Sequence, residues 1–99
     1  MNPINSEQKQ LLEAIRFGDL PRVKFLVQEK EINPNFGYDI WIENNPIVVA
    51  ALKDQFDIAV WLLTDGGVIL KPEVTDFVTL VVGNISISNY IYEHVISNN

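Results

Sequence analysis

Cysteine is absent from this 99-residue chain, and histidine occurs once, at His94. The first absence excludes disulfides, thiolate metal sites and a cysteine nucleophile, and it fits a reducing compartment. The second leaves nucleophilic catalysis without its usual base. No serine stands in a Gly-x-Ser-x-Gly turn that would activate it. Calcium-loop spacing and glycine-rich phosphate loops are missing as well. No apolar run approaches the roughly 18 residues of a membrane-spanning helix. The stretch Met1-Asn2-Pro3-Ile4-Asn5-Ser6-Glu7 has neither the basic region nor the apolar core of a secretory signal. These absences lead us to expect a cytoplasmic protein that is no enzyme, with no metal, no cofactor and no membrane contact.

Positive charge is also scarce. Seven Lys and Arg face thirteen Asp and Glu, for a net charge of -6. The excess is uneven: residues 1–35 are balanced, residues 36–65 carry -4 and residues 66–99 carry -2. Phosphate backbones repel such a chain, so no nucleic-acid partner is expected, whereas a basic protein patch would be attracted. Asp54 with Asp57, and Asp39 with Glu43, stand at helical spacing. A hydrolytic carboxylate pair needs a cleft that raises one pKa, and an exposed turn offers none, so these read as capping and solvated groups.

What the chain does contain is apolar substance, 47% of its residues, enough for a packed core. The stretch that organises it runs from Ala50 to Leu63. Ala50-Ala51 closes one short helix, Lys53-Asp54-Gln55 breaks it, and Phe56, Ala59, Val60 and Leu63 recur at the spacing of one helical face, widened by Trp61 and Leu62. The same order of small, turn, apolar and helical positions is found from Ala14 to Val27, and again, more weakly, from Thr79 to Tyr92. The turn positions are Gly18, Asp54 and Gly83, at intervals of 36 and 29 residues. A helix pair of this kind buries its apolar side only against neighbours of its own kind.

Local signals mark the boundaries. Asn5 or Ser6 caps the first helix, with Gln8 placed for a capping box, and its apolar residues are Leu11, Leu12, Ala14 and Ile15. Pro21 fits the first turn of a helix whose face is Val23, Leu26 and Val27, joined by Phe25. Asn45 and Pro46 read as N-cap and first helical residue. The last third is double-valued. Val78-Thr79-Leu80-Val81-Val82 before Gly83-Asn84 and Ile85 reads locally as a β-hairpin, while the register with the upstream turns predicts a helix pair. The register decides for the pair, whose second helix is partly polar through Ser86, Ser88, Asn89, Glu93, Ser97, Asn98 and Asn99.

This pattern resembles the ankyrin-repeat family over Leu11 to His94. Asn45-Pro46-Ile47-Val48-Val49-Ala50-Ala51 stands where the family has Thr-Pro-Leu-His-x-Ala-Ala, matching at the proline and both alanines. Residues 9–19 look like an N-terminal capping repeat, with Glu13 where an internal repeat is apolar. The resemblance implies an all-α solenoid of helix-turn-helix repeats with short hairpin loops: one domain over residues 1–99, with repeats at about 6–35, 36–70 and 71–99. It implies a β-hairpin finger over residues 35–45, lengthened here, where Ile40, Trp41 and Ile42 are good strand formers. It also implies a left-handed cap at Gly66. Trp61 falls at a core position.

The resemblance further implies binding of another protein through finger tips and first-helix ends. The matching positions are Arg16, Phe17, Leu52 and Lys53 at the helix ends, with Val81 and Val82 at the equivalent place in the last repeat. On the finger they are Trp41, Ile42 and Asn44, with Trp41 reading equally well as a buried hairpin residue that covers the first repeat. Tyr38, Asp39 and Glu43 complete an aromatic centre with acidic neighbours, suited to a basic, partly apolar patch. The expected action is occupation of the partner's surface, as an inhibitor, immunity-type protein or adaptor. The alternative is a structural, self-associating subunit held through Val81, Val82 and Ile85.

Overall fold

The computed structural model describes residues 4–97, and in these every regular element is helical. The expectations for Met1–Pro3 and for Asn98 and Asn99 lie outside the described residues. Helix α1 (Ser6–Arg16) starts at Asn5. The Asn5 Oδ1 accepts from the Gln8 N–H at 2.8 Å, and the Gln8 Oε1 accepts from the Asn5 N–H at 2.9 Å. Helix α2 (Leu20–Gln28) is capped by Asp19, whose Oδ1 accepts from the Arg22 N–H at 3.1 Å, with Pro21 in its first turn. Helix α3 (Pro46–Leu52) begins on Asn45, and α4 (Phe56–Thr64) follows after a three-residue turn. Helix α5 (Pro72–Asp76) runs on into a π-helical stretch (Phe77–Val82). Helix α6 (Ile85–Tyr90), capped by Asn84, runs on into another (Ile91–Ile96).

The helices form three successive pairs. Each pair turns through a left-handed residue at the position marked by the sequence: Gly18 (φ 71°), Asp54 (φ 53°) and Gly83 (φ 72°). The closing hydrogen bonds also correspond. Asp19 N–H donates to Ala14 O at 3.0 Å, Gln55 N–H to Ala50 O at 2.8 Å, and Asn84 N–H to Val78 O at 3.2 Å. The third closure spans one residue more than the others. The π-helical stretch absorbs that residue, with the Gly83 N–H also reaching back to Val78 O at 2.9 Å. The Gly-Asn hairpin is thereby overruled. Asn84 serves as a helix cap, and Val74, Val78, Ile87 and Ile91 are buried at helical spacing.

The pairs stack in order. First helices pack on first helices, α1 on α3 and α3 on residues 77–82; second helices pack on second helices, α2 on α4 and α4 on α6. Burial gives the direction of each face. Glu13 is exposed where the next pair buries Val49, and Arg22 is exposed where the later pairs bury Ile58 and Ile87. A charge is tolerated only on the pair with no predecessor. Polar side chains tie neighbouring turns together. The Asn84 Nδ2 donates to Ala51 O at 2.9 Å and to Asp54 Oδ1 at 3.2 Å, and the Gln55 Nε2 reaches Arg16 O at 3.5 Å.

Three local expectations are corrected. The finger is no β-hairpin: Asp39–Asn44 forms 3₁₀ turns with a kink at Trp41 (φ −103°, ψ 23°), and no strand occurs among the described residues. Ile40, Trp41 and Ile42 find no partner strand, because the preceding segment is tied down through side chains instead. The Asn35 Nδ2 donates to Gly67 O at 3.0 Å, its Oδ1 accepts from the Ile69 N–H at 2.8 Å, and the Asn45 Nδ2 donates to Phe36 O at 2.9 Å. Gly37 (φ 75°) makes the close approach, since a Cβ there would stand 2.4 Å from the Asn45 nitrogen.

Second, the left-handed cap after α4 is Gly67 (φ 79°), and its counterpart after α2 is Glu31 (φ 58°). Gly66 is needed for space, as an added Cβ would lie 2.8 Å from the Leu62 Cα. Third, the covered side of α4 is rotated from the expected one. Ile58, Ala59, Trp61 and Leu62 are buried, while Phe56 is exposed and Val60 and Leu63 are half-buried. Helix α4 is packed from both α2 and α6, so its covered arc is wider than a single stripe. Phe25 likewise lies outside the buried face of α2, and Trp61 is core, as expected.

Candidate functional site

The expected partner-reading residues fall into two patches. The first is the row of turns at the C-terminal ends of the first helices. Arg16 and Lys53 are exposed, Phe17 is 84% exposed, and Leu52, Leu80, Val81 and Ile85 present apolar surface beside them. The side-chain bonds of Gln55 and Asn84 to the preceding pair place these turns next to one another, so the apolar residues follow one edge of the stack. An open groove of about 400 Å³ is lined there by Leu52, Asp54, Val82, Asn84 and Ile85.

The second patch is the finger. Asp39 and Glu43 are exposed, Ile40 is 83% exposed and Trp41 45%. Ile42 is half-buried and packs against the core, and Asn44 is half-buried at the end of the turn. Neither is an outward contact. Tyr38 forms the finger's base: its hydroxyl donates to Ile69 O at 3.2 Å, and the Lys71 Nζ sits 4.0 Å from its ring centroid. Burial, helped by the Glu73 carboxylate, holds the Tyr38 phenol above its usual pKa, so it is a neutral donor at physiological pH.

The two patches do not merge. The finger packs on α3, and residues 46–51 are all buried, so α3 exposes nothing before Leu52. The seven-residue helix separates Asn45 from Lys53 by roughly 12 Å, at about 1.5 Å for each of the eight steps between them. The finger and the turns are therefore two separate exposed patches, with the covered residues of α3 between them. Ile40 and Leu80, both largely exposed, were not among the expected contacts, whereas Ile85 was expected only in the self-associating alternative. Ile40 had a signal, an apolar residue between Asp39 and Glu43 in a polar connection. Leu80 had none, because its spacing also fits a buried face.

No set of three His, Asp or Glu side chains among the described residues could hold a metal ion. No helix among them is long and apolar enough to cross a membrane. His94 lies at the end of the chain's last helical stretch, its ring 4.7 Å from that of Tyr90 and its Nε2 3.9 Å from the Glu93 carboxylate. No family model, no curated protein and no solved structure matches this chain.

Proposed function

We propose that this chain is a three-repeat, ankyrin-type stack that binds another protein without catalysis. The stack reading is supported by the recurrence of one turn at Gly18, Asp54 and Gly83, by the matching backbone closures, and by the change from Glu13 to Val49 at an equivalent position. The binding reading rests on one observation. Large apolar side chains stay in water on both sides of the buried residues 46–51: Ile40 and Trp41 on the finger, Phe17, Leu52 and Val81 along the turns. Stability alone requires none of them there, and aromatic anchors of this kind carry much of the energy of protein interfaces. Asp39 and Glu43 flank Ile40 and Trp41 on the finger, so the partner offers a basic rim there, while the turns carry Arg16 and Lys53 beside Asp54. The action is occupation of that surface, in the manner of an inhibitor or adaptor.

The test is cross-linked capture from the native cell, followed by affinity measurement with the purified partner. Trp41→Ala is expected to weaken binding by about 2 kcal/mol while leaving the melting curve in place. Full affinity for Trp41→Ala and for Ile40→Glu, both normally folded, would rule out the finger as the reading edge.

A further inference from the structure

We infer that the groove between the second and third turns is a subsite for one arginine side chain of the partner, flanked there by apolar residues. The inference rests on the reading of the turns as an interaction edge and names what that edge takes. The groove lies between two helix pairs, with Leu52 and Asp54 on one wall and Val82, Ile85 and Ser86 on the other, rather than at an end of the stack. The two gaps between successive turns are filled differently. The shared closures make Asp19, Gln55 and Asn84 equivalent, and likewise Gly18, Asp54 and Gly83. In the first gap the Gln55 amide lies over Gly18, its Nε2 2.8 Å from where a Cβ would stand, and reaches Arg16 O at 3.5 Å. In the second gap Asn84 is one methylene shorter. Its Nδ2 is drawn back to Ala51 O at 2.9 Å and Asp54 Oδ1 at 3.2 Å, while its Oδ1 accepts from the Ile87 N–H at 3.0 Å. With that side chain fixed at both ends, the gap stays open as the groove of about 400 Å³.

Charge complementarity selects the occupant. Asp54 is the one charged residue among those lining the groove, and the neighbouring Lys53 is exposed outside it. The Asn84 amide holds one oxygen of the Asp54 carboxylate, and the other has no partner among the described residues. Around it, Leu52 is 53% exposed and Ile85 73%. A cation on a long apolar stem meets both features, with the stem along Leu52 and Ile85 and the head at the carboxylate. Arginine suits this better than lysine, because a guanidinium is more weakly hydrated than an ammonium and is taken against apolar walls at less cost. The turn itself does not call for the carboxylate. Asp54 stands at φ 53° where the other two turns have glycine, which adopts that conformation without steric cost.

The experiment is an NMR titration of the whole isotope-labelled chain, at low salt, with the peptide acetyl-Leu-Arg-Leu-amide up to about 10 mM, a range suited to a single side-chain contact. The expected result is a saturable shift of the backbone N–H signals of residues 51–55 and 82–86. The version with lysine is expected to bind more weakly, and the version with citrulline, which keeps the shape without the charge, at least about threefold more weakly. Asp54→Asn keeps an oxygen for Asn84 and removes the charge. Its melting curve is expected to match the parent's, and its affinity for the arginine peptide to fall at least about threefold. No saturable shift, shifts confined to residues 39–43 of the finger, or an affinity unchanged by lysine, by citrulline or by Asp54→Asn would each overturn the subsite. Shifts that grow with protein concentration in the absence of peptide would put a second copy in the groove and overturn it too. The peptide reports on the groove alone, whereas the wider binding reading stands or falls with the captured partner, so the two failures are told apart.

Discussion

Asn45 is the residue on which the centre of the molecule hangs, and its removal can be worked through quantitatively. Its side chain is buried and uses both ends: Oδ1 accepts from the Ile47 N–H at 2.9 Å and the Val48 N–H at 3.4 Å, and Nδ2 donates to Phe36 O at 2.9 Å. Asn45→Ala removes an N-cap, worth about 1 kcal/mol. It also takes the donor from a carbonyl beside a buried phenylalanine, a loss of about 1–3 kcal/mol. The sum, roughly 2–4 kcal/mol, is a large share of a typical domain's stability. At about 4–8 °C per kcal/mol for a chain of this size, the melting temperature should fall by on the order of 10–30 °C.

The internal control is Asn5→Ala, which removes an exposed cap and should cost about 1 kcal/mol. Thermal and urea melts followed by circular dichroism measure both. Asn45→Asp separates the two functions. The cap oxygen remains, but a buried carboxylate faces Phe36 O, and burial raises its pKa. Its deficit relative to the parent should therefore be greatest at neutral pH and shrink as the pH falls and the carboxyl regains a proton to donate. If Asn45→Ala costs no more than Asn5→Ala, the claim that Asn45 joins finger to helix is refuted.

Three further substitutions probe other parts of the argument. Ala51→Leu should destabilise by about 1–3 kcal/mol through overpacking of a buried position, and an unchanged melt would mean that the stack can open there. Glu31→Gly should raise stability by up to about 1 kcal/mol, because Glu31 holds a left-handed conformation that glycine adopts without steric cost; a lower urea midpoint would contradict this. Trp41→Ala should leave the melt within about 1 kcal/mol of the parent, as expected of an exposed side chain away from the core, and a collapsed melt would place Trp41 in the core.

Much of the fold was legible because it depends on interactions between near neighbours in the chain. The Asn5–Gln8 capping box, Asn45-Pro46 as a helix start, and turns at Gly18, Asp54 and Gly83 are local hydrogen-bonding and backbone preferences, and each stands where the residues put it. The exposure of Glu13 was readable too, since a charge cannot sit between two packed pairs. The candidate site was legible as a set of segments: Phe17, Leu52 and Trp41 are exposed as expected. The surface that they form was not.

Tertiary structure decided what depends on partners distant in the chain. Ile40-Trp41-Ile42 has strand-forming residues, but a strand needs an edge, and the side chains of Asn35 and Asn45 bind the neighbouring backbone instead. The β-branched run from Phe77 to Val82 became helical because helix packing buries Val74 and Val78, which outweighs a weak local preference. The side of α4 that faces inward was set by having neighbours on two sides, so Phe56 is outside and Ile58 inside. Local preference amounts to tenths of a kcal/mol per residue, and a buried side chain to about 1.5–3 kcal/mol. The sequence alone therefore determined where helices begin and turn, and long-range burial determined which of their sides meet and what they leave in water.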